Sequence, residues 1–168
     1  SSGRQTVGRL LYTVYGPTCH QLPERSFFLF GEKLAYTWEE LVEAGLDPAT
    51  LPYERRGFLG APELGYKLLV CQRDTVTYLG LFVLGALYGL FARRWLRPLP
   101  IWGFLLFLAP LALDGMTQAA GLRESTPLLR TLTGLCVAAG SIWFAYPHIE
   151  AAMAGLRRDV ARKLGREE

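Results

Sequence analysis

Charge is missing where a soluble helix would carry it. Thr75 to Ala92 reads TVTYLGLFVLGALYGLFA and contains no charged side chain. Thr131 to Ile149 is equally bare when His148 is neutral, and Pro98 to Leu122 holds only Asp114. Helices of a soluble bundle keep a polar outer face. These stretches have none, which argues against a water-soluble globule. Other absences narrow the chemistry. There is no Cys-x-x-Cys pair, so nothing marks a dithiol-exchange module. No serine–histidine–aspartate set, phosphate loop or haem-attachment motif is present. The formal net charge is only +3. The basic residues stand beside apolar segments and form no stripe, so no nucleic-acid partner is expected. There is neither an internal repeat nor a low-complexity tract.

What is present fits a bilayer. About 20 apolar residues cross its hydrocarbon core as a helix. The expectation is therefore an all-α integral membrane bundle of three spans with a small extracytoplasmic cap, and the lipid bilayer is its first partner. Trp95 and Trp102 flank the first loop, as interfacial aromatics do. Arg93, Arg94 and Arg97 lie in that loop, and Arg157, Arg158, Arg162, Lys163 and Arg166 follow the third span. Both segments are expected on the cytoplasmic side of the cell membrane. The loop RESTP and everything before Thr75 then face outward, Cys19 and Cys71 included.

Four parts follow. Residues 1–16 are the end of a preceding helix or an interfacial helix, and 17–74 are the extracytoplasmic cap. Residues 75–150 are the bundle, and 151–168 a basic cytoplasmic tail. No Met opens the chain; a helix ahead of Val7 would make four spans. Within the cap, Thr37-Trp38-Glu39-Glu40 fits a capping box that starts a short helix ending near Gly45. RRGFLGAPELG reads as an ordered loop into the first span, and Phe27 to Phe30 as an aromatic run inserted at the membrane interface.

Two groups of residues carry the candidate chemistry. Cys19 and His20 on one segment, with Cys71 and Asp74 on another, are predicted on the same side. They offer soft sulfur, imidazole and oxygen ligands for zinc. Four ligands would close a structural site, and three plus water would make a catalytic one. Neighbouring Cys and His can share one ion only across a tight bend. The alternative is a Cys19–Cys71 disulfide, which closes a loop of about fifty residues and adds roughly 4 kcal/mol in the chain-entropy model. The second group is Asp114 with Gln118 four residues on, hence on one helix face, expected near Arg73, Asp74 and Arg123. A carboxylate at membrane depth needs a partner, water or a proton. Asp74, Asp114, Gln118 and Arg73 are thus candidate catalytic residues, or members of an ion-pair network that locks the helices. Ser125 or Thr126 caps the third helix, with Pro127 in its first turn. Cys136 reads as packing. Gly85 and Gly89, with Gly80 nearby, suggest close helix contact.

The segments CHQLPERSFFLFG, LGYKLLVCQRDTVTYLG, LDGMTQ and RESTPLLRTLTG together resemble the predicted integral membrane proteins of domain-of-unknown-function family 2085. The resemblance runs from Gly16 to about Tyr146. It implies a multi-span membrane protein whose characteristic polar positions are Cys19, His20, Gln21, Cys71, Arg73, Asp74, Asp114, Gln118 and Arg123. That family usually places a helix ahead of the Cys-His-Gln motif, which this chain lacks in full. It brings no established activity. The expected function is a small membrane protein with an outer-face Cys/His/Asp/Gln site, holding zinc and acting on a membrane-soluble substrate. The alternatives are a disulfide-stapled accessory subunit of a larger membrane complex, or a transporter in which Asp114 takes up a proton.

Overall fold

The computed structural model describes residues 2–16 and 19–165. The chain divides into two compact units, Ser1–Thr75 and Val76–Glu168.

The first unit opens with α1 (Ser2–Tyr15). A 3-10 turn at Pro23–Arg25 leads into β1 (Ser26–Leu29), α2 (Trp38–Glu43), α3 (Pro52–Arg55), β2 (Gly60–Ala61) and β3 (Gly65–Cys71). The strands make one antiparallel sheet in the order β1-β3-β2. This sheet is absent from the all-α expectation, although the molecule as a whole is mostly helical. Its physical origin is non-local. SFFL and GYKLLVC pair across some forty residues, and neither segment is long enough to declare a strand by alternation alone. Gly65 makes the close approach of β1 and β3 workable: it sits at φ +78, and a Cβ there would lie 2.3 Å from the Leu29 carbonyl oxygen.

Phe28, Tyr36, Leu41 and Leu64 form the core of this unit, with Trp38, Leu46, Phe58 and Ala61 packed against them. Phe28 meets Tyr36 edge-to-face at 5.1 Å. Burying such a ring contributes about 1.5–3 kcal/mol. The aromatic run therefore alternates as a strand does. Phe28 turns into the core instead of toward a membrane interface, and Phe30 is left exposed at φ 67. α2 begins as read. Glu40 N–H donates to Thr37 Oγ1 at 3.3 Å while Thr37 N–H donates to Glu40 Oε2 at 2.8 Å. Gly45, at φ 101, ends the helix, and Leu46 N–H returns to the Leu41 carbonyl at 3.0 Å.

The chain passes between the units within α4 (Gln72–Leu87), which a π-helical turn, Tyr88–Ala92, continues. The second unit also holds α5 (Ile101–Ala119) and α6 (Pro127–Lys163). Gln72–Ala92, Ile101–Ala119 and Pro127–Lys163 are each long and apolar enough to cross a membrane. Phe82, Leu90, Phe91, Leu106 and Leu113 stand exposed on them. Apolar surface on that scale needs a partner, and lipid supplies it. α6 has 37 residues, roughly 55 Å at helical rise, well beyond a hydrocarbon core of about 30 Å. The residues read as a tail continue this helix as far as Lys163; Arg166 lies outside the described residues.

Small residues let the helices of this unit approach. A Cβ on Gly80 would come 2.8 Å from Ala138 Cβ, one on Gly85 2.9 Å from the Tyr146 hydroxyl, and one on Gly140 2.5 Å from Phe107 Cβ. Gly89 faces open space, so Gly80 and Gly85 mark the contact, not the Gly85–Gly89 pair. At the far end of α4, Glu150 accepts from Arg93 at 2.6 Å and from the Tyr88 hydroxyl at 3.2 Å.

Candidate functional site

In the first unit, β3 ends at Cys71 and α4 starts at the next residue, so Cys71 stands at the helix N-cap and Asp74 in the first turn. Across the sheet, Ser26 of β1 faces Cys71. The buried Gln72 amide donates to the Ser26 carbonyl at 3.1 Å and ties β1 to this corner. Cys19 arrives from the end of α1, its N–H bonded to the Tyr15 carbonyl at 3.1 Å. Two residues on, Gln21 takes a left-handed φ of 53, a conformation that costs a non-glycine residue about 1–3 kcal/mol. The surroundings hold it there. Its amide donates to the Tyr12 carbonyl at 3.0 Å, and its own carbonyl accepts from Lys67 Nζ at 2.7 Å.

The result is a compact donor set. Cys19 Sγ, Cys71 Sγ and an Asp74 carboxylate oxygen all lie within 4.8 Å of one another. Tetrahedral zinc with Zn–S near 2.3 Å would space two sulfurs by about 3.8 Å, so small side-chain rotations would close the set on an ion. Cys71 N–H donates to Cys19 Sγ at 3.2 Å. His20 is exposed and is not one of the three.

The two thiols are unlike each other. The Cys71 thiol, donating to Cys19, holds Cys19 down at about 7. Burial and the Asp74 hydrogen bond push it up, and backbone amides of Gln21 and Cys71 pull it further down. Cys71 is held well above the usual thiol range, first because its proton is committed to Cys19, then by burial; the Asp74 N–H acts the other way. Lys67 is buried behind Gln21, donating also to the Arg56 carbonyl at 3.0 Å. Burial lowers it to about 8, against the attraction of Glu24 and Cys19.

The second polar group belongs to the second unit. Asp114 is buried on α5 and accepts from Arg123 at 3.0 Å and from the Ser125 hydroxyl at 2.8 Å. Thr126, not Ser125, caps α6, accepting from Leu129 N–H at 3.3 Å, with Pro127 at the first position. Ser125 is thereby left to the carboxylate. Gln118 lies one turn beyond Asp114 and is partly exposed. Arg73 and Asp74 belong to the first unit, and Asp114, Gln118 and Arg123 to the second. Cys136 is half-buried in α6, and exposed His148 bonds the Phe144 carbonyl through Nδ1 at 2.7 Å.

Sequence reasoning missed Lys67 and Gln72. Lys67 had a signal: in Tyr66-Lys67-Leu68 the outward tyrosine puts the lysine on the inward face of a strand. Gln72 had none, because its role depends on β1.

Three long apolar helices define a multi-span membrane protein, and a paired-thiol and carboxylate cluster stands where the first of them begins. The family model described as "Predicted membrane protein (DUF2085)" matches residues 63–144, which include Cys71, Asp74 and Asp114. An uncharacterized protein of Methanocaldococcus jannaschii, MJ1492, is 30% identical over 138 residues, covering 82% of this chain and 67% of that protein. The chain belongs to this family of membrane proteins. No solved structure matches it.

Proposed function

We propose that this membrane protein holds a divalent transition-metal ion, zinc by donor type, between Cys19, Cys71 and Asp74. The observation that carries the reading is the convergence of three ligand atoms, from three separate backbone positions, within 4.8 Å. Two thiolates and a carboxylate favour a borderline-soft ion. With three protein ligands a fourth position stays open, as in sites where a metal polarises a substrate or a bound water. Such an ion with these ligands carries a net charge of −1. The buried Lys67 ammonium, within electrostatic reach of Cys19, would balance it. Cys71 precedes α4 and the arginines at 93, 94 and 97 follow it. A spanning α4 with those arginines in the cytoplasm puts the metal on the extracytoplasmic side of the cell membrane, open to a membrane-soluble substrate.

The same proximity of sulfurs supports a second reading, a Cys19–Cys71 disulfide that staples an accessory subunit of a larger complex. Elemental analysis and intact mass on the purified protein separate the two. The metal reading expects one zinc per chain, lost in Cys19→Ser and in Cys71→Ser and retained in His20→Ala. A mass two hydrogens short, with no metal and with copurifying partner chains, would favour the staple and sink the metal site.

A further inference from the structure

A second site lies in the first unit. A cavity of about 760 Å³ opens between Tyr12, Thr13 and Gly16, at the end of α1, and Gln21, Arg56 and Leu59. That volume suits a small organic ligand, far more than a bare ion needs. Arg56 is half-buried on its wall and makes no ion pair or side-chain hydrogen bond with any described residue. Its neighbour Arg55 is fully committed, paired with Glu24 at 3.3 Å and stacked 3.6 Å over Trp38. Behind the wall stands a second cation, Lys67. It is only 5% exposed and is anchored to the carbonyls of Gln21 and Arg56, both cavity residues. Among the described lining residues there is no carboxylate. Glu24, whose charge reaches Lys67 as that of Cys19 does, is already paired with Arg55.

The Arg56 guanidinium at a half-enclosed wall, with no carboxylate among the described lining residues, makes a positive potential that water screens poorly. A guanidinium offers a planar fork that matches phosphate oxygens two at a time. The rest of the lining, the Tyr12 ring and Leu59, offers apolar surface for an organic portion. We propose that this cavity binds the phosphate of an organic phosphate ester, with Arg56 as the donor that grips it. Two sources share that chemistry, a phospholipid headgroup at the membrane surface and a soluble phosphate ester.

The test uses the full chain in detergent. Native mass spectrometry follows dioleoylphosphatidylglycerol against dioleoylphosphatidylcholine, and equilibrium dialysis follows glycerol phosphate. Arg56→Gln is expected to weaken binding roughly tenfold to hundredfold, the worth of a charge-assisted hydrogen bond or two. Arg56→Lys should keep most of it, and Arg94→Gln, in the basic loop of the other unit, should leave it unchanged. Leu59→Trp fills the cavity with Arg56 intact and should also weaken binding, which protects the conclusion if Arg56→Gln folds poorly. Preference for phosphatidylglycerol without glycerol phosphate binding identifies a lipid headgroup; binding of glycerol phosphate without lipid preference identifies a soluble ester. Either result, with the Arg56 dependence, supports the site. Binding of neither probe, wild-type binding in Leu59→Trp, or equal losses in Arg56→Gln and Arg94→Gln overturns it. Metal content stays at the wild-type level in every variant, since none touches Cys19, Cys71 or Asp74.

Discussion

Replacing Cys71 by alanine should raise Cys19 toward the ordinary thiol range. In the reduced, metal-free protein Cys19 sits at about 7 instead of 9.0, and the hydrogen bond from the Cys71 thiol is the largest cause. Two pH units correspond to about 3 kcal/mol favouring the thiolate. The variant keeps the backbone amides of Gln21 and residue 71, so part of the shift survives. Burial, which pushes the other way, survives too. The net expectation is a rise of at least about one unit. At pH 7 the thiolate share then falls from about half to below about a tenth. The assay is thiolate ultraviolet absorbance against pH, in a Cys136→Ala background so that Cys19 titrates alone. The linkage has a definite sign. A depressed thiol stabilises the fold above its ordinary value of 9.0, and that contribution is lost as pH falls through about 7. The reduced wild type should therefore melt at lower temperature as pH drops across that window, and Cys71→Ala should show a flatter dependence. A Cys19 midpoint still near 7 in the variant would refute the proposed coupling of the two sulfurs.

Lys67 gives a second titration. Its value of about 8 lies below the ordinary 10.5, so the unfolded chain binds the proton more tightly between those limits. Wild-type stability in detergent should climb with pH across that window by up to about 3 kcal/mol relative to Lys67→Met; parallel melting curves would contradict it. In the second unit, Asp114→Ala should cost about 2–3 kcal/mol, because it strands the buried Ser125 hydroxyl and loses an ion pair. Arg123→Ala should cost about 1 kcal/mol or less, since that guanidinium is 45% exposed. Equal losses in thermal unfolding would remove the distinction. Gly80→Ala should destabilise by about 1–3 kcal/mol through the clash with Ala138, while Gly89→Ala, facing open space, should be neutral within about 0.5 kcal/mol.

The membrane helices were legible because uncharged runs of this length have one solvent that suits them. The capping box at Thr37 and the α6 cap were legible for a different reason: they are local, with donor and acceptor three residues apart. The sheet was hidden, because β1 and β3 are distant in sequence and FFLF looks the same to a lipid surface as to a core. Sequence placed Cys19 and Cys71 on one side of a membrane, but their meeting with Asp74 depends on β3 ending where α4 begins and on the left-handed turn at Gln21. Neither is written in spacing. His20, adjacent to Cys19, had equal standing in the sequence; only the fold turns it outward. The cavity beside Arg56 had no signal, since Arg55 and Arg56 read as a plain basic pair until one is seen bound to Glu24 and the other not.

Zinc-edge X-ray absorption of the purified protein tests the proposed ion between the two sulfurs directly, by its own surroundings. Two sulfur scatterers at about 2.3 Å with the remaining shell at oxygen or nitrogen distances, and one sulfur fewer in Cys71→Ser, are the predicted result. A shell of oxygen and nitrogen alone would contradict it, as adventitious zinc bound away from Cys19 and Cys71 would give.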